Sequence, residues 1–212
     1  MKKVLALIGD IAMSKKITER EKFQNNLSKL FKKISKDSKE FLCSPYTLTL
    51  GDEFQAVYQM PDSILVDVWK IIETIYPHRA RFSIGIDKLT TEINPDKAIG
   101  MDGPAFYLAR DGIEKLKKYS RTIIQFYSPH IENLSLLNQY FMLFSGITQK
   151  WKLNTIKILN GLMDEDSLER ISKRVGISKR AVYKNMRNNN LDDIINLQKE
   201  ITKSLRESME PS

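Results

Sequence analysis

The sequence predicts an α+β sandwich followed by an all-helical region. Three observations carry that prediction. Five short apolar or alternating runs fall between residues 4 and 127, separated by stretches at helical spacing, in the order β-α-β-β-α-β-α-β. From Leu134 onward only helical spacing remains. Near the end, Gly176-Ile177-Ser178 breaks two short helical stripes with a turn, and the stretch around it is rich in Lys and Arg.

Taken in order, Val4 to Ile8 is a continuous apolar run, as expected of a central strand covered on both faces. Thr18 and Glu21 have the spacing of a capping box, and Phe23, Leu27, Leu30, Phe31 and Ile34 form the stripe of the helix it opens. Pro45 ends the next loop; Tyr46 to Leu50 and Phe54 to Tyr58 then flank Gly51-Asp52 and read as a hairpin. Pro61-Asp62-Ser63 opens a second helix with Ile64, Val68, Ile71, Ile72 and Ile75 on one face, and Pro77 closes it. Arg81 to Ile86 alternates as a fourth strand. After a polar loop from Asp87 to Gly103, Pro104 suits the first turn of a third helix carrying Phe106, Leu108, Ala109, Ile113 and Leu116. Thr122 to Tyr127 is the fifth strand. The pattern amounts to a ferredoxin-like βαββαβ sandwich with a mostly antiparallel sheet over residues 1–130.

Residues 131–147 are expected to form a connecting helix, and 148–212 a helix-turn-helix domain. There, Leu153 to Met163, Ser167 to Val175 and Lys179 to Met186 read as helices. A last stripe of Leu191, Ile194, Ile195, Ile201 and Leu205 either packs on this module or pairs with a second chain, and Glu207 to Ser212 is expected to fray.

Composition narrows the function classes. The chain has 212 residues, 42% hydrophobic and 28% charged, and no apolar run approaches the ~20 residues a membrane helix needs. Met1-Lys2-Lys3 before an apolar run has the outline of a signal peptide, but Asp10 interrupts it and no small-residue cleavage site follows; a cytoplasmic protein is expected. Cys43 is the single cysteine and His78 and His130 the only histidines, which argues against structural zinc and for a hard cation on carboxylates, Mg²⁺ or Mn²⁺, if a metal binds. Net charge is +8, and Lys173 to Arg187 holds six basic residues without an acid, the composition of a surface that neutralises a nucleic-acid backbone. Lys15 to Glu40 is also basic, and there a solvated helix face is the expectation.

Two aspartates define the candidate site. Asp10 ends the first strand, and Asp52 sits in the Gly-Asp turn before the third. In a βαββαβ sheet these two ends are neighbours, close enough for Asp10 and Asp52 to share a metal, with Glu53 as a further or outer ligand. Gly9 and Gly51 would let phosphates approach the backbone, with Ile11 alongside. Asp102 and Gly103 precede a helix N-terminus that favours an anion, and Arg110 on that helix can reach a phosphate or pair with Glu114. At the other end Ser178 caps the second helix of the turn motif; Arg180 and Tyr183 are candidates for base edges, and Lys179, Lys184 and Arg187 for phosphates. DNA-reading modules of this kind commonly dimerise on two half-sites, so a homodimer is a possible state.

Several segments resemble known families. Asp10-Ile11 after an apolar strand and Leu50-Gly51-Asp52-Glu53-Phe54 resemble the metal-binding strand and hairpin of class III nucleotidyl cyclases, and the hairpin also resembles the Gly-Asp-Glu-Phe turn of diguanylate cyclases. Ile8-Gly9-Asp10-Ile11 with Ser14, Leu50 to Gln55, Ile84-Gly85-Ile86, Gly100-Met101-Asp102-Gly103-Pro104-Ala105-Phe106 and Ala109-Arg110 resemble the SatD family of bacterial proteins over most of the chain. That resemblance implies a cyclase-like domain joined to a DNA-binding domain and brings no settled reaction. Where cyclases carry a transition-state Asn and Arg, this chain has Tyr107 and Asp111. No lysine stands in Tyr46 to Leu50 to select a purine, and Leu50 replaces a glycine of the diguanylate cyclase motif.

The expectation is therefore a regulator that binds a nucleotide or phosphate ligand with Mg²⁺ or Mn²⁺ and reads DNA. A metal-dependent nucleotidyl transferase or cyclase, and a degenerate scaffold, stand as alternatives.

Overall fold

The computed structural model describes residues 2–49, 51–119 and 122–210. Leu50, part of the expected hairpin, and Pro211 and Ser212 of the expected frayed end lie outside the described residues.

The protein is a mixed α+β structure with a five-stranded sheet and, among the described residues, eight α-helices. The strands are β1 (Val4–Ala12), β2 (Leu42–Leu48), β3 (Glu53–Tyr58), β4 (Arg79–Asp87) and β5 (Ile124–Tyr127). The helices are α1 (Arg20–Asp37), α2 (Ile64–Ile75), α3 (Pro104–Tyr119), α4 (Leu134–Thr148), α5 (Leu153–Met163), α6 (Leu168–Val175), α7 (Lys179–Asn188) and α8 (Leu191–Met209). Sheet order is β2-β3-β1-β4-β5. β1 is antiparallel to both β3 and β4, β2 is antiparallel to β3, and β5 runs parallel to β4.

β1 is central because its side chains are apolar on both faces until Asp10. Leu5, Leu7 and Ile11 join Phe54, Tyr58, Phe82 and Ile84 under α1 and α2, whereas Val4, Ala6 and Ile8 meet Ala105, Ala109 and Ile113 of α3 on the other face. Gly85 of β4 allows α3 this close: a Cβ there would stand 2.1 Å from the Ala105 carbonyl oxygen. The larger core continues without a break through Phe141 and Phe144 of α4, Ile158 of α5 and Leu205 of α8.

Three local expectations are corrected. The capping box at Thr18 does not form, because α1 starts at Arg20 and Glu19 turns to Lys22, 2.9 Å away. Pro45 does not end a loop; it lies within β2, an edge strand whose pairing with β3 is irregular, where its missing N–H costs no ladder bond. The described part of the C-terminal end is not frayed: α8 runs to Met209, which is buried, and Lys3 Nζ donates to the Ser208 carbonyl at 2.8 Å.

The C-terminal helices dock on the α/β layer through α2. Buried Asn160 of α5 donates to the Trp69 carbonyl at 3.1 Å and to Glu73 at 2.7 Å, and Arg174 of α6 pairs with the same Glu73 at 2.8 Å. α8 lies back on the α/β layer, with Arg206 bonded to Asp62 and Leu205 and Met209 buried. Its apolar stripe is thus used inside the chain.

Candidate functional site

The expected meeting of strand ends is present. Asp10 is paired across the ladder with Glu53 on one side and Arg81 on the other, so all three side chains leave the same face of the sheet, the α3 face. The Ile11 N–H donates to the Asp52 carbonyl at 3.0 Å, which ties the turn before β3 to the end of β1. The Asp52 carboxylate accepts the Ser14 hydroxyl at 2.5 Å.

Basic side chains complete the cluster. Arg81 reaches Asp10 at 2.9 Å. Lys117, from the last turns of α3, bridges Glu53 at 2.7 Å and Asp10 at 3.6 Å, and also touches Glu114. Arg110, two turns earlier on the same helix face, donates to Glu53 at 2.6 Å. Arg110 therefore joins the carboxylates rather than pairing with Glu114. Arg20 is close by: a Cβ on Gly51 would stand 2.9 Å from its guanidinium.

Burial and charge pull these groups apart electrostatically. Burial pushes the Asp10 carboxyl above its ordinary range, and Asp52 adds to that, although Lys117 and Arg81 work the other way. Burial also acts to raise Glu53, but the hydrogen bonds from Lys117 and Arg110 outweigh it and hold Glu53 low. Lys117 gives up hydration that would lower it, yet Glu53, Glu114 and Asp10 raise it overall and keep it charged.

The glycines divide by role. Gly9 has no room for a side chain because the Phe54 ring fills it, with a Cβ only 2.1 Å from that ring's Cζ. Its smallness thus serves ring packing. Gly51 has φ +65°, the left-handed conformation that the turn before Asp52 needs. Asp102 and Gly103 are not brought to the cluster. β1 starts beside Asp87 and reaches Asp10 six residues later, about 20 Å away, and Gly103 packs on Leu89 and Thr90 just past the Asp87 end. The Asp102 carboxylate there accepts the Tyr107 hydroxyl at 2.7 Å.

As a metal centre, the cluster offers hard oxygens from Asp10 and Asp52. Among the described residues no group of three or more His, Cys, Asp or Glu is placed to hold an ion. Two carboxylates completed by water and phosphate oxygens are nonetheless a usual set for Mg²⁺.

At the far end of the chain, α6 and α7 are joined by Gly176, Ile177 and Ser178. Gly176 takes φ +74° and closes α6; the Ser178 hydroxyl accepts from the Ala181 N–H at 3.2 Å and starts α7. Val182 and Met186 are buried, so Arg180, Tyr183, Lys184 and Arg187 face outward and line a shallow cleft of about 640 Å³ with Asn188. Lys179 pairs with Glu169 at 3.2 Å. Among the described residues, the side chains of Arg180, Lys184 and Arg187 have no acidic or hydrogen-bonding partner.

Sequence reasoning named the acids but missed Arg81 and Lys117. Both carried a signal. Arg81 is at the outward phase of β4 at the end where β1 terminates, and Lys117 follows Arg110 by seven residues, which returns to the same helix face.

The model of the SatD family matches residues 4–203. No curated protein matches the chain.

Proposed function

The chain belongs to the SatD family, and we propose that it is a cytoplasmic DNA-binding regulator whose α/β region binds a nucleotide or another phosphate-bearing ligand with a divalent cation. The observation that carries this reading is the outward face of α7: three cations without partners and an aromatic ring, 56% exposed, on a capped helix that follows a tight turn. Cations left unpaired on one helix face are free to replace the counterions of a phosphate backbone, and Tyr183 adds a ring and a hydroxyl at base-edge reach. In this reading α6, the turn and α7 form a helix-turn-helix with α7 as the reading helix.

The strand order β2-β3-β1-β4, with β1 antiparallel to both neighbours, supports reading the α/β region as a ferredoxin-like, nucleotidyl cyclase-like palm. Asp10 and Asp52 would hold Mg²⁺ or Mn²⁺, with Glu53 steering Lys117 and Arg110. The bound cation supplies charge that draws in phosphate oxygens, and Arg20, Arg81 and Arg110 stand around the same sheet end for the rest of the anion. Turnover finds no comparable support, since Tyr107 is engaged by Asp102 at the other end and Asp111 is exposed.

Communication between the two sites would run through α2, where Glu73 holds both α5 and α6. The test is calorimetric titration of a nucleotide panel, including cyclic dinucleotides, with Mg²⁺ or Mn²⁺, on the wild type and on the Asp10→Ala/Asp52→Ala variant. Binding lost in the variant, with ligand affinity shifted by DNA as much as DNA affinity is shifted by ligand, is the expected result. Equal ligand binding by both proteins removes the carboxylate site.

A further inference from the structure

We propose that the outer face of α1 is a second DNA-contact surface, a lysine ridge that lies against the phosphate backbone of duplex DNA without reading its sequence. It adds a site on the α/β layer for the partner already assigned to α7, and its test separates the two. α1 is fixed by its inner side, where Leu27, Phe31 and Ile34 are buried and the Ser35 hydroxyl accepts the Tyr46 N–H of β2 at 3.2 Å. The opposite side carries Lys29, Lys32, Lys33 and Lys36, all exposed. At 3.6 residues per turn these four fall within an arc of about 100° and along about 10 Å of the helix axis. Asn25 and Lys22 continue the face toward the start of the helix, where Lys22 is taken by Glu19 at 2.9 Å.

The pairing pattern departs from that of a merely solvated face. Such a face sets acids three or four residues from its lysines. On α6, for instance, Lys173 pairs with Glu169 at 3.2 Å. On α1, Lys29–Lys32, Lys29–Lys33, Lys32–Lys36 and Lys33–Lys36 are like-charged neighbours at those same intervals, and each pair works against the helix. Among the described residues the four ammonium groups make no ion pair and no hydrogen bond, and Asp37, four residues after Lys33, does not reach it. The helix carries a repulsion that its own chain does not relieve and that a polyanion relieves.

The chemistry of the face selects the polyanion. Of the large apolar side chains exposed among the described residues, none lies on α1, so the ridge has no apolar anchor for a protein partner. A helix that enters a lipid surface must offer it an apolar side, and the apolar side of α1 is buried in the core. The ridge also has no arginine fork and no aromatic ring, only ammonium point charges, which suit phosphates and not base edges. Duplex DNA presents a negative charge per ~1.7 Å of its axis, so a ridge about 10 Å long lies against several of them.

The test is fluorescence anisotropy of the full chain with labelled duplex DNA of arbitrary sequence over a salt series. The proteins are the wild type, Lys29→Gln/Lys32→Gln/Lys33→Gln/Lys36→Gln, the same four positions changed to Arg, and Arg180→Ala/Lys184→Ala/Arg187→Ala. The glutamine variant is expected to bind at least ~tenfold more weakly at low salt, with the slope of log K against log salt flattened by up to about 3.6 per chain, from about 0.9 for each lysine. Its melting temperature should be kept or raised, because glutamine favours helix and the like-charge repulsion is gone. The arginine variant, with its charge intact, should bind as the wild type does. A glutamine variant with unchanged affinity and slope overturns the proposal, whatever the α7 variant does, and so does an arginine variant that is folded and loses binding. A lysine ridge needed only for adsorption to phosphatidylserine vesicles, with DNA binding untouched, overturns it as well. Binding lost in the glutamine variant and kept in the α7 variant upholds the ridge and removes α7 as the DNA-binding helix.

Discussion

Asp67 offers the sharpest test of how the α/β layer is held. It is 1% exposed on α2, accepting hydroxyl bonds from Ser38 at 2.9 Å, Tyr58 at 2.8 Å and Ser63 at 3.0 Å. Burial raises its carboxyl from 3.8 to about 6, against the pull of those three hydroxyls and Lys70. A folded-state value above the unfolded one means the folded protein binds the proton more tightly. The group's favourable contribution is therefore complete below about pH 4 and is lost as pH rises through about 6. A shift of roughly two units corresponds to about 3 kcal/mol. The perturbation is Asp67→Asn, which keeps the shape, removes the ionisation and leaves hydroxyls that can reorient. Urea denaturation of wild type and variant across a pH series reads the effect. The wild type should lose about 3 kcal/mol relative to the variant between pH 4 and 7, most steeply near pH 5. Asp10 also has a raised carboxyl, but it is common to both proteins and cancels in the difference. A difference that stays flat with pH refutes the assignment of a buried, strained charge at Asp67.

Other consequences follow from the cluster and the close contacts. Lys117→Met keeps the aliphatic stem but removes the ammonium from Asp10 and Glu53, so Mn²⁺ affinity read by electron paramagnetic resonance should rise severalfold; an unchanged affinity means the cation does not bind at Asp10. Gly9→Ala forces a methyl into the Phe54 ring and should cost about 1–3 kcal/mol in denaturant unfolding, as overpacking does. Glu73→Ala removes the shared anchor of Asn160 and Arg174 and should destabilise the docking of α5 and α6, seen as faster hydrogen exchange in those helices with the sheet unchanged.

The secondary structure was legible wherever local chemistry dictates it. The bounds of α5 agree with Leu153 to Met163, and Gly176 and Ser178 close α6 and open α7 as read. The meeting of the end of β1 with the start of β3 was also legible, because strand pairing follows from element order. What escaped depends on distant pairings. Whether Gly9 faces a phosphate or the Phe54 ring depends on a residue 45 positions away in the folded register. The fate of the α8 stripe was open for the same reason, since a helical stripe states that something covers it without naming what does. Asp102 and Gly103 were grouped with the acids by chemistry alone, and only the direction of α3 along β4 separates them. The parallel pairing of β5 with β4, which makes the sheet mixed, likewise arises from the path of the chain through α3 rather than from β5 itself.

The most direct test of the DNA-binding claim is the salt dependence of binding to labelled duplex DNA, followed by fluorescence anisotropy, for the wild type and for Arg180→Ala/Lys184→Ala/Arg187→Ala. Each cation that neutralises a phosphate contributes about −0.9 to the slope of log K against log salt concentration. Loss of the three unpartnered cations of α7 should therefore flatten the slope by roughly 2.7 per chain and weaken binding at every sequence. A wild type that does not bind DNA at low salt, or a variant with the same slope and affinity, contradicts the account.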